Sequence, residues 1–199
     1  LSMDVPSSWS RYELNGKKLS GLGFATYRLH VFGAQPGKQM AMRIAPIASS
    51  YVLFVDGNEV ASRGVVGKTE ESSEPKNFPQ TMLFTPQKES FDIIINVSNF
   101  TLASGGVSQP LYMGTPARIA YIDNVVIGRD YFLLGSFFIS ASLCLLIYVI
   151  RRKKVLMLYI VMCAILAIKT TINGSYTINL VPNISFGTIV RIDYLSLYW

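Results

Sequence analysis

Cysteine is scarce in this chain. The two residues, Cys144 and Cys163, both lie inside apolar runs, so the polar N-terminal region has no thiol for a disulfide or a Cys-based zinc site. Histidine is scarcer still: His30 has no second histidine at ligand spacing, which leaves a metal site or a catalytic dyad without its parts. There is no Gly-rich phosphate loop between a strand and a helix, no nucleophile elbow and no paired carboxylates. The sequence therefore assembles no enzyme site and calls for no cofactor. The opening "LSMDVPSSW" lacks the basic start and apolar stretch of a signal peptide, and the chain is expected to begin in the middle of something longer.

Acidic residues are nearly missing from the last third. Residues 131 to 199 hold six Lys/Arg and a single acid, Asp193, whereas residues 1 to 130 hold twelve Lys/Arg against eleven Asp/Glu. The net charge of +6 thus belongs to the apolar part, as a topology signal does, and not to a basic face for nucleic acid.

What is there first is β-like. Over residues 1 to about 125, short apolar stretches alternate with Gly, Pro, Asn and Asp clusters, the pattern of an all-β sandwich. Tyr27, Leu29 and Val31 fall on one strand face, and Met40, Met42 and Ile44 repeat the pattern. Tyr51 to Val55 is apolar on both faces, and Asp56-Gly57 supplies a tight hairpin turn into a strand through Val60. Phe91, Ile93, Ile95 and Val97 line one side of the next strand, opposite Asp92, Asn96 and Ser98. A last strand is expected from Arg118 to Ile122. The charged, proline-bearing stretch Gly67 to Gln80 reads as a solvated surface loop. Asn96-Val97-Ser98 and Asn99-Phe100-Thr101 fit the glycosylation pattern and are read as chance matches.

From about 126 onward the character changes. Tyr131 to Ile150 carries no charge, and twelve of its residues are Leu, Ile, Phe or Val; as a helix it is about 30 Å long, the thickness of a hydrocarbon core. Its insertion gain is about 5 kcal/mol before small polar costs. A second span is expected over 155 to 172. Between them stand Arg151, Arg152, Lys153 and Lys154, which the positive-inside rule places in the cytoplasm, with the β domain on the far side. Asn173 to Asn183 reads as a short outer loop, and a third span from about Ile189 is cut by the end at Trp199, so more chain is expected downstream. Ser136, Ser140 and Cys144 recur every fourth position, a stripe that lets another helix pack closely. Lys169, with Arg191 and Asp193, marks the outer ends of the later spans, where an ammonium snorkels to the interface.

The order of "VPSSW" (5 to 9), "GFATYRLHV" (23 to 31), "LFVDGNEVASRGVVG" (53 to 67) and "INVSNFTLASGG" (95 to 106), then a span ending in "RRKK", resembles bacterial seven-transmembrane receptors with diverse intracellular signalling modules. The resemblance covers nearly the whole chain. It implies a jelly roll akin to carbohydrate-binding modules, joined to the start of a seven-helix bundle in the inner membrane. It also implies a strand or two before Leu1, and a missing cytoplasmic output domain such as a histidine kinase or a diguanylate cyclase. Lys169 stands where the family often has Arg. The expected partners are the bilayer and an extracellular ligand such as a saccharide or cell-wall fragment; whether the receptor forms a homodimer is left open. Trp9, Tyr27 and Tyr51 are the aromatic candidates for stacking on a sugar, set against ordinary core roles. The rival is a membrane-anchored carbohydrate-binding or adhesion protein without signalling output.

Overall fold

The computed structural model describes residues 3–47, 49–76, 78–173 and 186–195. The chain divides into two compact units, Leu1–Ala120 and Tyr121–Trp199.

The first unit is a two-sheet antiparallel sandwich. A four-stranded sheet has the order β3 (Gly23–Phe32), β8 (Ser90–Asn99), β5 (Ser50–Val55), β6 (Asn58–Arg63), and a three-stranded sheet has the order β7 (Gln80–Phe84), β4 (Met40–Ile44), β9 (Leu111–Gly114). A small hairpin, β1 (Glu13–Leu14) and β2 (Lys17–Lys18), turns at Asn15-Gly16. Alternation decides which side chains enter the core. Phe91, Ile93, Ile95 and Val97 of β8 meet Tyr51, Leu53 and Val55 of β5 on one side and Met42, Ile44, Met82 and Phe84 on the other. Phe84 and Phe91 close the gap between the sheets edge to face, with centroids 5.5 Å apart. Each such side chain, fully buried, contributes roughly 1.5–3 kcal/mol.

The β5–β6 hairpin turns at Asp56 and Gly57, with φ of 47° and 83°, the left-handed pair a two-residue hairpin needs. Asp56 Oδ1 also accepts from the Asp92 amide at 3.0 Å, tying the turn to β8.

The expected strand at 118–122 is helix instead. Helix α1 runs from Pro116 to Arg151 without a break. Thr115 accepts from the Arg118 amide through its hydroxyl at 3.3 Å and from Ile119 through its carbonyl at 3.1 Å, and Pro116 takes the first helical position, where a missing N–H costs nothing. The cap, a residue past β9, overrides the strand-like look of "RIAYI".

The Gly67–Gln80 stretch is also more than a solvated loop. Ser98, on the outward side of β8, is fully buried beneath it. Its hydroxyl meets Ser50 Oγ at 2.7 Å and Ser73 Oγ at 2.9 Å, and accepts from the Gly67 amide at 3.2 Å. Lys76 donates its amide to the Ser49 carbonyl at 2.8 Å. The charges at 68–71 remain exposed while the serines pin the loop down.

In the second unit, α1 is about 54 Å long and α2 (Lys154–Asn173) about 30 Å; α3 covers Phe186–Leu195. Helices α1 and α2 are both long and apolar enough to cross a membrane. Arg152, between them, adopts φ 52° and donates its amide to the Tyr148 carbonyl at 2.8 Å, ending α1 in a left-handed cap. The expected outer loop at 173 to 183 falls, beyond Asn173, outside the described residues. The third helix begins at Phe186, three residues before the expected start.

Candidate ligand cleft

The sandwich is unequal, four strands against three, and the mismatch leaves the inward face of β3 incompletely covered. A cleft of about 760 Å³ opens there. Its floor is formed by the buried Ile93 and Ile95 of β8; one wall is Ala25, Tyr27 and Leu29 of β3; the other is Val107 and Leu111 with the segment Met3–Pro6. That segment is held in place by strand-like pairing just after it, Ser7 N to Val107 O at 2.9 Å and Trp9 N to Gly105 O at 3.1 Å. Asp4 stands at the rim; Thr26 and Arg28 also border the cleft, but their side chains turn to the other face of the sheet, toward Asn96 and Asp92. An apolar floor with a few polar groups at its edge is the usual composition of a small-molecule site.

Tyr27 alone of the three aromatic candidates lines this cleft. Its hydroxyl is sealed and has no hydrogen-bond partner. A Cβ at Gly106 would come within 2.7 Å of that oxygen, and Gly106 has φ +106°, so glycine is required there on both counts. Burial lifts the Tyr27 pKa, and the adjacent Val107 backbone pulls the other way without meeting hydrogen-bond geometry. The ring, not the hydroxyl, is what Tyr27 offers to a ligand.

Trp9 and Tyr51 sit elsewhere. Trp9 is 5% exposed, its Nε1 donating to the Gly21 carbonyl at 3.2 Å, and Tyr51 is 0% exposed in the core. A ring without an open face has nothing to stack on. Desolvation pushes the Tyr51 pKa up to about 12, the Arg63 guanidinium across β5–β6 opposing it. The structure thus does not bring the three aromatics together.

The outward face of β3–β8 carries a polar cluster that spacing alone did not reveal. Arg28 Nη2 lies 2.6 Å from Asp92 Oδ2, and His30 Nδ1 lies 2.6 Å from Asp92 Oδ1. These donors hold the Asp92 carboxyl below the usual range, and the same carboxylate raises Arg28. The register accounts for it: His30 is directly opposite Asp92 and Arg28 is one diagonal away. Asn99 is fully buried; its amide donates to the carbonyls of Gly21 and Leu102 at 2.8 and 2.7 Å. It is a loop clamp.

In the second unit, Ser136, Ser140 and Cys144 are half-buried, and Ser136 donates to the Phe132 carbonyl at 2.8 Å. Arg151, Arg152, Lys153 and Lys154 are all exposed. Lys169 is half-buried and Arg191 exposed; the Asp193 side chain lies outside the described residues. Asp130, which the sequence did not single out, is 1% exposed and accepts from Arg129 Nε and Nη2 at 3.1 and 3.0 Å.

No family model matches the chain, and no curated protein matches it. Among solved structures, the chain is similar to a GH2 β-galacturonidase from Eisenbergiella tayi bound to galacturonate, with TM-score 0.44, 14% identity, and 58% of this chain and 20% of that one covered. It is also similar to a putative β-galactosidase from Bacteroides fragilis (TM-score 0.39, 15% identity, 56% and 18% covered). A Ruminococcus gnavus β-glucuronidase is a further neighbour (TM-score 0.37, 19% identity, 50% and 16% covered). The chain thus spans about a fifth of the length of these enzymes.

Proposed function

We propose that the chain is the sensing part of a bacterial transmembrane receptor of the seven-helix class with intracellular signalling modules. Its sandwich, a jelly roll outside the cytoplasm, binds a saccharide or cell-wall fragment. Helices α1 and α2 cross the inner membrane, and the Arg151–Lys154 tract lies in the cytosol. Binding shifts the bundle between two arrangements that set the activity of an output domain, a histidine kinase in the first instance; a ligand does this only through different affinities for the two states.

The observation that carries the reading is the pairing of an open, apolar-floored cleft with a helix that starts one residue after β9 and continues into the charge-free run. A pyranose presents C–H faces to an aromatic ring and hydroxyls to polar rim groups. Tyr27 and Asp4 match those two demands. The test is titration of the full chain in detergent with mono- and oligosaccharides and peptidoglycan fragments. One of these should bind, and Tyr27→Ala should weaken it at least tenfold while Tyr51→Phe leaves it unchanged; a flat response to all of them defeats the ligand class. Orientation is checked in intact cells with an impermeant maleimide. Glu70→Cys should label and Lys153→Cys should not, and the reverse pattern defeats the topology.

A further inference from the structure

The strand β3 pairs with β8 along all ten residues, Gly23 with Asn99 through Phe32 with Ser90, without a bulge. Among the described residues nothing pairs with its other edge. Natural edges are usually kept short or protected by proline, bulges or charged side chains, lysine above all; the one cation on β3, Arg28, is paired with Asp92 at 2.6 Å. The neighbouring edges follow that practice, β9 with four residues, β7 with five, and β6 with six and a register shift in its pairing to β5. The edge of β3 is long, regular and free of proline and lysine, and it displays Phe24 (55% exposed), Leu29 (56%) and Phe32 (76%).

The sequence of that edge has a symmetry which identifies its occupant. Around Arg28, residues 24 to 32 read Phe, Ala, Thr, Tyr, Arg, Leu, His, Val, Phe, the same order of residue character in both directions. We infer that β3 pairs antiparallel with β3 of a second copy, about a two-fold axis at Arg28, joining two four-stranded sheets into one of eight. Such an axis demands that residue i of one copy face residue j of the other and the reverse, and directly opposed residues share a sheet face. Centred on Arg28, Phe24 faces Phe32, Ala25 faces Val31, Thr26 faces His30 and Tyr27 faces Leu29. Every apolar side chain of the stretch meets an apolar one. Centring on Tyr27 instead would set Phe24 against His30, and centring on Leu29 would set Arg28 against His30; a one-residue slip between strands is barred because it mixes the two faces.

The polar groups also line up. Within one copy Thr26 Oγ1 donates to Asn96 at 2.8 Å and His30 is joined to Asp92 at 2.6 Å. Across the axis these two pairs continue as one ladder, Asn96, Thr26, then His30 and Asp92 of the second copy. The two Arg28 guanidiniums meet at the axis, each already compensated by its own Asp92 at 2.6 Å, so their mutual repulsion is small.

The test is disulfide cross-linking of the full chain, with Cys144 and Cys163 replaced by alanine, in membranes under mild oxidation. Arg28→Cys should give a linked dimer with itself. Phe24→Cys and Phe32→Cys should link when the two variants are mixed and stay monomeric alone, because the like positions lie eight residues apart on either side of the axis, about 27 Å. A self-link at Phe24, or no link in either experiment, overturns the register and the proposal with it. Light scattering in detergent gives a readout without cysteines: Leu29→Glu should raise the dimer dissociation constant at least tenfold, and an unchanged mass overturns the interface. Both readouts are independent of whether the cleft binds a sugar.

Discussion

Phe91 and Phe138 are the same residue in opposite situations. The first is 1% exposed between two sheets, the second 74% exposed on α1. The contrast extends over whole units: Leu53, Ile44 and Val97 are at 0% in the sandwich, while Leu146, Ile150, Val155 and Leu158 stand at 61–73% on the helices. A chain folding in water gains by hiding such side chains. One that displays them along two long helices is suited to a surrounding as apolar as they are, which is what the proposed membrane reading requires. The sandwich is held by what it keeps from solvent, and the helices by backbone hydrogen bonding that is complete within each segment.

The largest expected effect breaks this contrast directly. Phe91→Ala should lower the stability of the sandwich by about 3–5 kcal/mol, because it leaves a cavity between β7 and β8, whereas Phe138→Ala should stay within about 0.5 kcal/mol; urea unfolding of both full-length variants in detergent measures it. Leu146→Arg should then affect the helices but not the sandwich, costing about 3 kcal/mol of membrane insertion, read from the fraction inserted in a translocation assay. Next comes Ser98→Ala, which strips the shared hydroxyl from under the Gly67–Gln80 loop. It should cost about 1–3 kcal/mol and raise hydrogen exchange at Gly67 and Lys76.

The smallest effects lie in pH. Tyr51 is a group whose folded pKa is raised, to about 12, so its contribution is complete below the ordinary tyrosine value near 10 and is lost as pH rises from there through about 12. Tyr51→Phe should remove that alkaline loss with little change at neutral pH, since it also removes a buried hydroxyl without a partner. Asp92 is the reverse case. Its folded pKa is depressed, first by the Arg28 hydrogen bond and then by His30, so its contribution is present above the ordinary carboxylate range and fades as pH falls through the lowered pKa. Carbon-13 NMR of Asp92 should show the depression shrink in Arg28→Ala.

The strands that carry the core could be read from the amino acids because their alternation is unbroken: Phe91 to Val97 and Tyr51 to Val55 admit one inward face. The Asp56-Gly57 turn was equally plain. Asn15-Gly16 offers the same turn signal, but the Glu and Lys residues flanking it lack the hydrophobic pattern that marks a strand. At 118–122 the apolar residues fit either period, and only the Thr115-Pro116 cap separates helix from strand. The cleft was only partly legible. Aromatic residues announce themselves, but whether a ring faces a core or an opening depends on how many strands oppose it, and that number is set by long-range pairing. Tyr27 and Tyr51 differ in just this respect.

Arg152 carries a last consequence. Its φ of 52° places a bulky, charged residue where helices ordinarily end in glycine, so backbone comfort and charge pull in opposite directions at one site. Arg152→Gly should make the α1–α2 corner easier to form and, in the same stroke, weaken the charge signal on which its proposed cytosolic address depends.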